Sequence, residues 1–171
     1  IFIGLLSGME SPLLAIQLLW INLVTDSFPA IALGLEREES NIMNRKPRNS
    51  KESIFAGGLW EKIITEGVML GCLTLFSFSL GTRLFGLNVG RTMAFVCLGM
   101  LELVHSFNVK SEESIFKTGF FENKYLIESL ALGTLLQVIV VIVPYLANVF
   151  ELVPLSRVQW IYCGLISVVP I

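Results

Sequence analysis

The sequence predicts an all-α fold, a polytopic transmembrane helical bundle of about five spans plus part of a sixth, and three observations carry that reading. Of the 171 residues, 54% are apolar and only 15% are charged. The charges cluster between apolar runs instead of alternating with them, and those runs approach the roughly 20 residues a helix needs to cross a bilayer. No basic stripe interleaved with aromatics is present, so nucleic acid is excluded as a partner and the lipid bilayer is the expected surrounding.

Taken in order, residues 1–8 form a short apolar tail, followed by spans at 13–33, 61–82, 91–109 and 125–144 and a last apolar run at 157–171. The connection at 36–60 holds Arg37, Arg45, Lys46, Arg48 and Lys51, with Lys62 just beyond it. The 110–124 connection adds Lys110, Lys117 and Lys124. If every run crosses, these two connections lie on one side, with nine basic residues against Arg83, Arg91 and Arg157 on the other. The positive-inside rule then places the 36–60 loop in the cytoplasm, as a solvated connector or a contact surface for a cytoplasmic domain. Trp60 and Tyr125 fall at cytoplasmic boundaries and Tyr145 and Trp160 at outer ones, where amphipathic rings anchor helices. The outer turns are 8–12, Arg83 to Arg91, and 145–157.

Cys72, Cys97 and Cys163 all sit in apolar runs, which argues against a disulfide framework or a zinc site. The chain begins Ile1-Phe2-Ile3 without a start methionine or basic n-region and stops at Pro170-Ile171 within an apolar run, so it reads as part of a longer polypeptide.

Asp26, the only aspartate, lies inside the first span. A carboxylate at mid-bilayer is disfavoured by roughly 2.5–3.5 kcal/mol on insertion scales and so marks an ion or proton pathway. Asn22, Thr25 and Asp26 are spaced i, i+3 and i+4, which puts three oxygen-bearing side chains on one face of a regular helix. Pro29 has no N–H to return to the carbonyl of Thr25, leaving a backbone oxygen beside the carboxylate. The plainer alternative is a proline kink whose polar groups bond between helices.

Glu102 is a second acid at similar depth. Two carboxylates on neighbouring helices repel unless a cation, protons or a basic partner lies between them. Calcium suits an oxygen-only set because it takes six to eight oxygens at about 2.3–2.6 Å. Transition metals, which favour sulfur and imidazole, suit it less. His105, one turn beyond Glu102, reads as a hydrogen-bonded structural residue or a modest pH modulator, while Glu61, Glu66 and Glu128 read as acids solvated near span ends.

The stretch Gln17-Leu-Leu-Trp-Ile-Asn22-Leu-Val-Thr25-Asp26, with Pro29-Ala-Ile-Ala-Leu-Gly34 and then Ile42-Met-Asn-Arg45-Lys-Pro47-Arg-Asn, closely resembles the sixth transmembrane helix and following loop of calcium-transporting P-type ATPases of the sarcoplasmic-reticulum kind. Glu102 through Asn108, with Ser111-Glu112, resembles the eighth helix of that family. The resemblance implies that 1–8 ends a fifth helix, that the spans are helices six to nine, and that 157–171 starts a tenth.

It further implies that Asn22, Thr25, Asp26 and Glu102 are calcium ligands, with Asp26 shared where two ions bind. Calcium is then the transported ion. The partners are the N-terminal helices and cytoplasmic domains of the same chain, which hold the remaining ligands, the phosphorylated aspartate and the ATP and magnesium sites. No catalytic residue is expected within this chain. The short Arg83–Arg91 turn resembles bacterial forms, implying a multi-pass protein of a bacterial plasma membrane. His105 departs from the animal pumps, which carry another polar residue there.

The leading expectation is therefore the ion-binding part of an ATP-driven pump exporting calcium from the cytoplasm with proton counter-transport. A manganese or monovalent-cation pump, an ion-gradient-driven exchanger and a structural scaffold are the alternatives.

Overall fold

A computed structural model describes residues 1–35, 58–109 and 124–170. The 36–57 and 110–123 stretches, with most of the orienting basic residues, the Ile42–Asn49 motif and Ser111-Glu112, lie outside the described residues. Every regular element among the described residues is helical. These elements are α1 (Phe2–Leu6), α2 (Ala15–Trp20), a π-helical turn (Ile21–Thr25), α3 (Ser27–Gly34), α4 (Leu59–Phe85), α5 (Leu87–Val109), α6 (Lys124–Ile142), α7 (Pro144–Val149) and α8 (Arg157–Ser167). Among the described residues, four stretches are long and apolar enough to cross a membrane: Ala15–Gly34, Leu59–Phe85, Leu87–Asn108 and Lys124–Ile142.

The layers follow from burial. Within its most apolar stretch α5 has 56% of its residues buried, against 17% for α4, so α5 is the central helix and α4 a peripheral one. Around α5 pack α4, α6, α8 and the π turn. Met93, Ala94, Phe95, Val96 and Cys97 on α5 are fully enclosed and form the core with Ile21, Phe78, Val140 and Cys163. Large apolar side chains on the outer faces, such as Ile64, Val68, Phe76 and Leu135, are exposed, the arrangement a lipid-facing surface requires.

Lipid tails give helices little hydrophobic reason to associate, so close backbone approach and polar contacts must hold the bundle. The α4–α5 crossing uses glycine for this. A Cβ on Gly81 would stand 2.8 Å from the Gly90 Cα, and one on Gly90 would collide with Thr82 and the Phe78 carbonyl. Gly86, at φ +97°, reverses the chain between the two helices. The expected Arg83–Arg91 turn is accordingly much shorter than its charges suggested. Both arginines lie inside helices, and Gly86 is the sole residue between α4 and α5.

Polar contacts fix the first span. Buried Gln137 on α6 accepts from the Trp20 indole N–H at 3.1 Å and donates to the Phe95 carbonyl at 3.1 Å, joining three spans through one amide. Gln17 donates to the Phe150 carbonyl at 3.0 Å, and the Trp20 and Phe150 rings meet edge-on at 5.1 Å. At the opposite membrane face to the basic loops, Arg91 donates to the Ser11 carbonyl at 3.0 Å and lies 3.7 Å from Glu10. Cys97 and Cys163 are buried and Cys72 is exposed, all three as free thiols.

Gly90→Val should destabilise the chain by roughly 1–3 kcal/mol, as overpacking does, seen as a lower thermal midpoint in detergent. Gly71→Val, where an added Cβ meets nothing within 4 Å, should leave that midpoint unchanged.

Candidate ion site

Thr25 and Asp26 stand where the first span leaves α-helical geometry. Residues 21–25 form a π turn, closed by a bond from the Asp26 N–H to the Ile21 carbonyl at 3.2 Å, and an α-helix resumes at Ser27. Pro29, buried in the first turn of α3, supplies no N–H to the Thr25 carbonyl. Beta-branched Val24 and Thr25 before the only aspartate, and a proline four residues after Thr25, disfavour a regular helix here. Irregular backbone inside a span is tolerated where it faces protein or a cavity, and π turns recur at functional sites.

The turn also changes which side chains meet. An i→i+5 turn winds less per residue than an α-helix, so residues three apart diverge around the axis. Thr25 is fully buried and faces α5, whereas Asn22 and Asp26 are both exposed. The single face expected for Asn22, Thr25 and Asp26 is thus split. Thr25 and Asp26 line a cavity of about 230 Å3 with Pro29, Ala30, Glu102, His105 and Ser106, and Asn22 does not line it.

Across that cavity the Thr25 hydroxyl lies 2.7 Å from the Ile21 carbonyl and 3.1 Å from Glu102 Oε2. One hydroxyl carries one proton, so Thr25 satisfies both acceptors at once only when Glu102 brings a proton of its own. Asp26 and Glu102 line this cavity from different spans. Two acids from different spans therefore line one space with the Thr25 hydroxyl, large enough for a cation and several waters of about 30 Å3 each.

The donors are all oxygens, which suits a hard cation such as calcium and gives no purchase to metals that prefer sulfur. They are too few for a closed shell: two carboxylates, one hydroxyl and one carbonyl fall short of the six to eight oxygens calcium takes. Among the described residues, no group of three or more histidine, cysteine or acidic side chains is placed to hold a metal.

Glu66 differs from its reading as a solvated end-of-span acid. Its Oε2 lies 3.3 Å from His105 Nε2 and its Oε1 lies 3.8 Å from Lys62 Nζ. Glu61 and Glu128 are exposed as expected, Glu128 pairing with Lys124 at 3.5 Å. The one signal in the sequence for the Glu66–His105 pairing is depth. Glu66 and His105 lie similar short distances from the ends of their spans, where antiparallel helices bring them level.

A family pattern described as "Cation transporting ATPase, C-terminus" matches residues 10–171. Among individual relatives, "Calcium-transporting ATPase 1" of Bacillus cereus is 41% identical over 189 residues, covering 100% of this chain and 21% of that protein. The "Calcium-transporting ATPase" of Bacillus subtilis is 36% identical over 169 residues, covering 98% and 19%. "Calcium-transporting ATPase lmo0841" of Listeria monocytogenes is 40% identical over 133 residues, covering 77% and 15%. The chain spans about a fifth of the length of such relatives.

From the donor count, the chain alone in detergent should bind calcium no more tightly than roughly the millimolar end of protein sites, measured by titration calorimetry. A saturable micromolar isotherm abolished by Asp26→Asn would mean that these helices close a site unaided.

Proposed function

Since this chain belongs to the cation-transporting ATPases, as part of their C-terminal membrane region, we propose that it supplies half of the cargo site of an ATP-driven calcium pump. The observation that carries the proposal is the meeting of Asp26 and Glu102, on different spans, across a cavity floored by the Thr25 hydroxyl. Asp26, Thr25 and Glu102 are the ligands from this side. Asn22, exposed on the adjoining face, joins them from the side that other helices of the full protein would cover. The relatives, calcium-transporting ATPases by name, support calcium over manganese or a monovalent cation. Their kinship also sets aside the exchanger and scaffold readings.

In the full protein, calcium entering from the cytoplasm neutralises the two acids. Filling the site permits phosphorylation by ATP, with magnesium, on domains outside this chain. The phosphorylated form opens outward and releases the ion. The emptied carboxylates then face each other without a counter-charge, which is costly in a low-dielectric interior, and protons from the outer side replace the cation. The shared Thr25 hydroxyl provides a seat for one such proton on Glu102. Calcium outward and protons inward is the resulting exchange, in a multi-pass protein of a bacterial membrane.

Asp26→Asn in the full-length pump should abolish calcium-dependent phosphorylation by ATP while the protein still inserts and folds, because it removes the charge at the π turn. Glu102→Gln should be milder, since an amide still offers one oxygen and α5 supplies this single ligand, whereas Asp26 stands among several on the broken span. A reversed ranking in phosphorylation assays would exchange the roles of the two acids. In sealed vesicles with other ion pathways blocked, calcium uptake should alkalinise the lumen. A constant lumenal pH would exclude proton counter-transport.

A further inference from the structure

Gln137 is an amide set in an apolar run on α6, between Leu135-Leu136 and Val138-Ile139. A polar side chain at that depth is disfavoured unless its hydrogen bonds are made, and it is kept where it joins helices or serves a site. Gln137 is fully buried and does not line the ion cavity. Both of its polar atoms are committed, each to a different span. Its Oε1 accepts from the Trp20 indole N–H at 3.1 Å, and its Nε2 donates to the Phe95 carbonyl on α5 at 3.1 Å.

Those two spans are the ones that carry the acids. Trp20 is the last residue of α2, and the π turn that presents Thr25 begins at the next residue. Phe95 precedes Glu102 on α5 by about 10 Å of helix. One crossing span, α4, separates the first span from α5 in the chain, so the two run in the same direction. The Gln137 amide and the Thr25–Glu102 contact therefore tie them together at two levels. The surface of α5 is shaped to receive the amide. A Cβ on Gly99 would stand 2.9 Å from Gln137 Nε2, and one on Gly133 of α6 would stand 2.6 Å from a Leu103 methyl. One face of α6 is thus seated on α5 just before and just after Glu102, and α6 also packs against the π turn.

We propose that Gln137 is a positioning residue that fixes the spacing of Asp26 and Glu102 and thereby the size of the cation they accept, a role that rests on the pump reading above. Apolar contacts in lipid tolerate a small slide of one helix past another, whereas two directional hydrogen bonds from a single buried amide do not. Selectivity among hard cations is a matter of cavity size, ligand number and flexibility, and calcium holds its oxygens at about 2.3–2.6 Å. Manganese is a smaller dication served by the same carboxylate and carbonyl oxygens. With the offset of the two spans held, the acids cannot close onto the smaller ion. With the amide removed, they can, and the preference for calcium narrows. Gln137 touches no ion in this scheme and acts through Trp20 on one span and through α5 on the other.

The test uses the full-length pump at constant magnesium and reads phosphorylation by ATP against calcium and, separately, against manganese, with the thermal midpoint measured alongside. Gln137→Met keeps length and volume but loses both bonds. It should raise the half-maximal calcium concentration by roughly three- to twentyfold, the factor to which interhelical hydrogen bonds in membranes correspond, with the phosphorylation maximum unchanged. The half-maximal manganese concentration should rise less, so that discrimination shrinks. Trp20→Phe, which removes one N–H and keeps the ring against Phe150, should narrow the preference in the same way, and it decides the matter if Gln137→Met fails to fold. The double variant should shift no further than Gln137→Met alone. Gln17→Met breaks the bond from the first span to the Phe150 carbonyl, which lies on neither acid-bearing span. It should lower the thermal midpoint and leave both half-maximal concentrations in place. An unmoved calcium preference in Gln137→Met or Trp20→Phe, or an equal shift in Gln17→Met, would reduce Gln137 to a packing tie and overturn the proposal. A wild-type pump whose phosphorylation ignores calcium would instead sink the pump reading itself, so the two failures are distinguishable.

Discussion

The Thr25 hydroxyl is the contact on which the site depends. It ties the π turn to Glu102 on the central helix, and it does so only because that turn points Thr25 inward. In water an unpaired carbonyl or acid could be left to the solvent. At membrane depth each must find a protein partner, a cavity water or an ion, so a local irregularity in one helix requires a specific answer from its neighbour. Glu102 and the cavity give that answer, and Asp26 follows at the first residue past the turn.

The rest of the bundle holds those two spans in register. α5 is enclosed on most sides, with glycine contacts to α4 and to α6, where Gly99 lies against the Gln137 amide and Gly133 against Leu103. Gln137 in turn fixes Trp20, the residue immediately before the π turn. The position of the carboxyl pair is thus set by packing several turns away, without a salt bridge between the spans that carry it.

How far the sequence foretold this differs by residue, for physical reasons. The helical class, the spans and the two acids were legible because burying charge among apolar residues is expensive, and composition records that expense. The separation of Asn22 from Thr25 was not, since an i→i+5 turn alters helical phase without altering hydrophobic periodicity. The α4–α5 reversal was misjudged because Arg83 and Arg91 resemble turn residues, while the chain needs only the positive φ of Gly86. Glu66 and His105 were read separately, as an end-of-span acid and as a hydrogen-bonded structural residue or modest pH modulator. Their pairing depends on the vertical offset of two helices, a tertiary quantity that spacing within either helix does not encode.

The glycine crossing of α4 and α5 has a mechanical consequence. It lies beside the reversal at Gly86, while Glu66 is twenty residues away along α4, a reach of about 30 Å. The hairpin is therefore a lever pivoted at its outer end, where the backbones touch and resist sliding. A tilt of only about 5° around that fulcrum carries Glu66 sideways by about 2.6 Å over such an arm. That is comparable to its 3.3 Å separation from His105. Small angular strain at one face of the membrane is thus enough to make or break a polar contact near the other, with both helices remaining straight.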